Sequence, residues 1–170
     1  MTESETQESA AERFATFIDD LSAQGHNASL QQAPGATDLD DLAAKLGCDA
    51  AQLHKTVCLN YKDNQGRRHL IAVIVPATGR VDMEKVRTAL QITPKVKAAQ
   101  PDFITSETGF VPGGIPPLGF DAIRLVQAST LHHQAIFAGG GNNLSTYTRL
   151  DPNILSTLYP DIIVGDFLQQ

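Results

Sequence analysis

Residues 56–61 read Thr-Val-Cys-Leu-Asn-Tyr, residues 69–75 read His-Leu-Ile-Ala-Val-Ile-Val, and Lys-Asp-Asn-Gln-Gly-Arg-Arg lies between them. Two runs rich in β-branched and apolar residues, joined by a short Asp/Asn/Gly segment, predict a β-hairpin. On its N-terminal side the chain predicts helices. Phe14, Phe17, Ile18 and Leu21 recur at helical spacing between Ala11 and Gln24, and Gly25 gives a stop. A short strand is expected within 26–33, followed by a turn at Pro34-Gly35. Thr37 is expected to cap a helix over 38–46, whose acidic first turn suits the helix dipole and which Gly47 ends. A turn of helix at 49–53 then delivers the chain to Lys55.

Beyond the hairpin, the pattern predicts a helix over 82–90, a short helix over 94–99 and a short strand or extended piece over 102–106. Strands are expected at 123–128, 134–138 and 144–150. A helix capped by Asp151, with Pro152 at its first position, and a closing strand at 161–164 complete the chain. Without a regular alternation of strand and helix, this favours a mixed α/β fold. Its sheet should be mostly antiparallel, or its core barrel-like, with flanking helices. Residues 1–10 are polar and read as a disordered tail, leaving 11–170 as one domain.

Composition narrows the function classes. The chain has 170 residues, 42% hydrophobic and 19% charged, with a net charge of −6. That balance opposes broad binding to a phosphate backbone, and DNA is not expected as a partner. Basic residues still cluster at Lys62, Arg67, Arg68 and His69, and at Lys85, Arg87, Lys95 and Lys97. The N-terminus has neither a basic nor an apolar leader region, and no stretch approaches the length needed to cross a bilayer, so a cytoplasmic location is expected. Cys48 and Cys58 are too few for a disulfide scaffold, and no Cys/His spacing suggests a metal site. No cofactor is implied.

Two features could carry chemistry. Lys55 stands at the start of an apolar strand, where a fixed cation suits a phosphate, a carboxylate or a developing oxyanion. Residues 109–119 read Gly-Phe-Val-Pro-Gly-Gly-Ile-Pro-Pro-Leu-Gly, with four glycines and three prolines in eleven positions. Glycines let backbone approach a ligand, and prolines keep such a loop in shape. Gly139-Gly140-Gly141 follows a strand but lacks the residues of a phosphate loop. His132 and His133 are neighbours, so in a strand they face opposite sides, and no catalytic triad is singled out by spacing.

The Lys55-Thr56 strand entrance, the run Ala72 to Asp82, the loop Thr108 to Gly119 and the turn Ile136 to Gly141 resemble, in that order, the YbaK/prolyl-tRNA-synthetase-associated editing domain family. The resemblance covers about residues 30–165. It implies a YbaK-like mixed sheet and trans-editing hydrolysis of mischarged aminoacyl-tRNA, typically tRNA for proline carrying alanine or cysteine, with association with a synthetase as a further expectation. By the resemblance, Lys55 and Gly109 are the catalytic positions. Thr56, Phe110, Gly113, Gly114, Ile115, Pro117, Gly139 and Gly140 would contact the acceptor end. The chain departs from the cysteine-directed pattern at Ser145 and Pro116. The alternative is an inactive editing-like module that holds tRNA 3′ ends or a small aminoacyl ligand.

Overall fold

The fold is described from a computed structural model covering residues 9–141 and 144–170. The tail expected over 1–10 lies largely outside the described residues. Its last two positions are ordered: Ser9 caps the first helix by accepting the Glu12 amide at 3.1 Å, and Ala10 opens it.

The hairpin forms as read. Strand β2 (His54–Lys62) pairs antiparallel with β3 (Arg68–Pro76), with Lys55 opposite Val75 and Lys62 opposite Arg68. Asp63 shapes the turn, since its Oδ1 accepts the amides of Gln65 and Arg67, both at 2.9 Å. On one side of the hairpin, β4 (Lys97–Ala98) pairs with β2 at Leu59 and Asn60. On the other, β5 (Ile123–Gln127) and then β8 (Ile163–Gly165) join in parallel. The order of this five-stranded sheet is β4-β2-β3-β5-β8. A second, antiparallel sheet runs β1 (Ala28–Gln32), β7 (Thr146–Leu150), β6 (Ile136–Gly139).

Four of the six strand pairings among the described residues are antiparallel, as expected of a mixed α/β fold. The sheets do not close into a barrel. On its far side β5 takes β8 as its partner, and the two sheets touch through an isolated bridge from Leu53 to Phe137. That bridge sits next to Lys55.

Among the described residues five α-helices flank the sheets: α1 (Ala10–Ala23), α2 (Leu39–Leu46), α3 (Met83–Leu90), α4 (Pro101–Thr108) and α5 (Asn153–Leu158). Asp38, rather than Thr37, caps α2, accepting the Asp41 amide at 2.8 Å. The two faces of the hairpin bury different cores. Cys58, Ala72 and Ile74 pack with α1 and the glycine/proline loop, while Leu59, Ile71, Val73 and Val75 pack with Val86 and Phe167.

Two further expectations are corrected. Residues 102–106 belong to α4, because Pro101 suits the first helical position and the Gln100 carbonyl accepts the Ile104 amide at 3.0 Å. Residues 94–99 form a turn and the edge strand β4 rather than a helix, because pairing with β2 satisfies that backbone instead.

Candidate functional site

A pocket of about 320 Å³ opens where β2 begins. Lys55 and Thr56 line it from the strand, Gly113 and Ile115 from the loop, and Gly139 from the end of β6. The rest of the lining is mostly apolar: Leu39 and Leu42 of α2, Leu53, Ala77, Phe137 and Tyr147. Lys55 is half-buried and has no ion-pair partner among the described residues. In an apolar pocket such a cation interacts strongly with any anionic or polarised group that enters.

Hydrogen bonds hold the strand entrance. The Gln52 side chain donates to the Ala135 carbonyl at 3.0 Å, and the Ala77 amide donates to the Leu53 carbonyl at 2.8 Å. His54 is 5% exposed. Its Nδ1 lies 2.9 Å from the Gln52 carbonyl and its Nε2 lies 3.0 Å from Thr130 Oγ1. A carbonyl can only accept, so Nδ1 carries the proton and Nε2 accepts from the threonine hydroxyl. Burial, opposed by the Gln52 carbonyl and aided by nearby His133, pulls the His54 pKa down to about 4. The ring is therefore neutral at pH 7 with both nitrogens engaged, which makes it a strut rather than a base. Thr56 Oγ1, beside Lys55, is buried without a hydrogen-bond partner among the described residues.

Close backbone packing holds the loop. The Gly141 amide donates to the Gly114 carbonyl at 2.8 Å. A Cβ on Gly139 would collide with the Ile115 carbonyl, and one on Gly140 with the Thr146 carbonyl. Glycine at 139 is thus what lets the loop lie against β6 and form the pocket wall. Farther along, the loop is pinned from beneath by Arg124, which is 3% exposed. Its guanidinium donates to the carbonyls of Pro117 at 3.0 Å and Phe120 at 2.9 Å, and stacks 3.9 Å from the Tyr159 ring centroid. Burial pushes the Arg124 pKa down, against the pull of Tyr159, Asp121 and Cys58.

The structure brings Lys55, Thr56, Gly113, Ile115 and Gly139 into one lining, with Gly114 and Gly140 as backbone support behind it. Gly109, Phe110 and Pro117 lie elsewhere. Gly109 ends α4 in the left-handed conformation (φ 82°), and a Cβ there would face Arg13 and Ala10 of α1. Phe110 packs edge-on against Phe14, 5.8 Å away, and borders a separate hollow beside α1. The Pro117 carbonyl is taken by Arg124. Sequence reasoning missed Phe137 and Tyr147, although both flank the glycine turn, and missed the α2 leucines, whose only signal was helical periodicity. Among the described residues no three His, Cys, Asp or Glu side chains gather as a metal site requires, and no helix is long and apolar enough to cross a membrane.

Solved structures share this architecture. A candidate trans-editing enzyme for prolyl-tRNA synthetase superposes with a TM-score of 0.75 at 20% identity, over 96% of this chain and 99% of that one. A hypothetical protein gives 0.72 at 22% identity, over 89% and 97%. A protein solved in work on computational epitope grafting gives 0.74 at 20% identity, over 96% and 99%. At such identities the likeness carries the fold. The family model for the aminoacyl-tRNA editing domain matches residues 33–158, a span that holds both walls of the pocket. The chain belongs to the aminoacyl-tRNA editing domain family.

Proposed function

We propose that this chain is a cytoplasmic deacylase that acts in trans on mischarged aminoacyl-tRNA, removing a small noncognate amino acid such as alanine or cysteine from tRNA for proline. The observation that carries the reading is the pairing, in a chain of the editing family, of an unpaired lysine with a backbone wall built of glycines. The likeness to a candidate trans-editing enzyme for prolyl-tRNA synthetase supports the choice of tRNA, and with it an association with that synthetase.

The scissile bond is an activated ester, so no nucleophilic side chain is required. Lys55 orients the ester and stabilises the negative charge that develops on its carbonyl oxygen as water attacks. The tetrahedral intermediate then expels the ribose oxygen, which takes up a proton, and free amino acid leaves. Apolar walls strengthen the lysine's field by excluding water. His54 keeps the strand entrance in place and takes no proton.

The test is deacylation of tRNA for proline charged separately with alanine, cysteine, serine and proline. Wild type should release alanine or cysteine and spare proline. Lys55→Ala should lower kcat/KM by about 10²–10³-fold with the fold retained. Unchanged activity in that variant would overturn the role of Lys55. Tight tRNA binding by wild type without turnover would favour the inactive binding module.

A further inference from the structure

Two basic clusters that stand apart in the sequence meet in the fold. A groove of about 460 Å³ lies along the far end of the hairpin, beside β4. Its lining gathers Lys62 and Arg68 from one cluster and Lys95 and Lys97 from the other, with no carboxylate among the lining residues. All four cations are exposed. None has an ion-pair partner among the described residues, whereas Lys45, Lys85 and Arg87 each pair with an acid. The nearest turn acid, Asp63, is engaged with His69 at 2.9 Å. Arg68 rests over the Phe103 ring, 6.0 Å from its centroid, which orders the guanidinium. In a chain of net charge −6, this concentration of unpaired cations is a local reversal of sign.

We infer that this groove binds phosphodiester groups of the tRNA acceptor arm while the acyl end occupies the Lys55 pocket; the inference rests on the proposed aminoacyl-tRNA substrate. Lys62 lies seven residues beyond Lys55 on the same strand, about 23 Å at the rise of an extended chain. That distance keeps the groove clear of the reacting ester and leaves it to backbone phosphates farther along the acceptor arm. Four separate cations around an open groove suit successive phosphates, which fix position without reading sequence. The groove therefore supplies affinity and register, and leaves the choice of amino acid to the pocket.

The test is binding of uncharged tRNA for proline across a salt series, with deacylation of the alanine-charged form followed in parallel. The triple variant Lys62→Gln/Lys95→Gln/Lys97→Gln is compared with Lys45→Gln/Arg80→Gln/Arg149→Gln, which removes equal charge elsewhere. Each groove lysine should contribute about one unit to the slope of log affinity against log salt. Wild type should then lose about forty-fold more affinity than the groove variant between about 50 and about 200 mM salt, and the control variant should track wild type. Lys95→Gln alone, on an exposed turn, should remove about one unit. A wild-type slope in the groove variant, or an equal drop in the control, would overturn the inference. Deacylation by wild type would in that case leave the proposed function standing. Groove-dependent binding without deacylation would uphold the groove and overturn the hydrolase. Absence of tRNA binding by wild type at low salt would overturn the groove outright.

Discussion

The strand entrance at His54–Thr56 and the loop from Gly109 to Gly119 contribute to one pocket but are held in place by different physics. The entrance hangs on hydrogen bonds to a neutral, buried imidazole. The loop hangs on aromatic packing at Phe110 and on main-chain contacts to the glycine turn, with Arg124 bonded to two carbonyls near its end. One hold depends on a proton and the other does not. Acid should therefore loosen the lysine side of the pocket while the loop side keeps its packing.

The largest effect expected from this contrast comes from the loop. Phe110 is 3% exposed and meets both Phe14 and Phe120, so Phe110→Ala should cost about 3–5 kcal/mol. Urea unfolding at pH 7 and at pH 5 should give nearly the same loss. Because Phe110 lies outside the Lys55 lining, activity per folded molecule should stay near wild type. A selective loss of kcat in well-folded Phe110→Ala would return this residue to the substrate site, where the family resemblance had put it.

A smaller and pH-dependent effect belongs to the entrance. The folded His54 ring resists protonation down to about pH 4, whereas in the unfolded chain it titrates near 6.5. Between those values the unfolded state binds the extra proton, so stability is whole above about pH 6.5 and declines as pH falls toward 4. The full decline amounts to about 3 kcal/mol. Unfolding midpoints of wild type and His54→Gln across this range should show the decline in the first and its absence in the second, whatever the variant's stability at pH 7. Parallel pH profiles would mean that another group carries the acid sensitivity.

The contrast also explains what could be read without coordinates. The hairpin was legible because β-branched and apolar composition, turn residues and length are all local. The parallel additions β5 and β8 were not, since nothing near Ile123 or Ile163 names its partner strand. Residues 102–106 carry Phe, Ile and Thr, which favour strands, yet Pro101 starts a helix there. Composition and the family resemblance single out Gly109 together with Gly113; the structure sets Gly109 at the end of α4 and Gly113 in the pocket lining. Composition singles out a glycine-rich stretch, but the role of each glycine depends on which backbone lies opposite, as Gly139 against Ile115 illustrates.

The smallest effect tests the seam between the two regions. Thr56 lines the pocket beside Lys55, and its hydroxyl lies beneath the surface with no partner among the described residues. A buried hydroxyl left unpaired costs about 1–3 kcal/mol, so a fold selected only for stability gains by losing it. Thr56→Val keeps the branched shape that suits the strand and removes the orphan oxygen. Thermal unfolding should be unchanged or shifted upward by the equivalent of about 1 kcal/mol. If the hydroxyl is kept to bind substrate as the ester seats against Lys55, the same variant should lose about three- to tenfold in kcat/KM, the worth of one neutral hydrogen bond. Stability gained together with activity lost would tie the entrance to the chemistry. Stability gained at full activity would make Thr56 part of the frame, leaving Lys55 as the polar group of that strand entrance that acts on substrate.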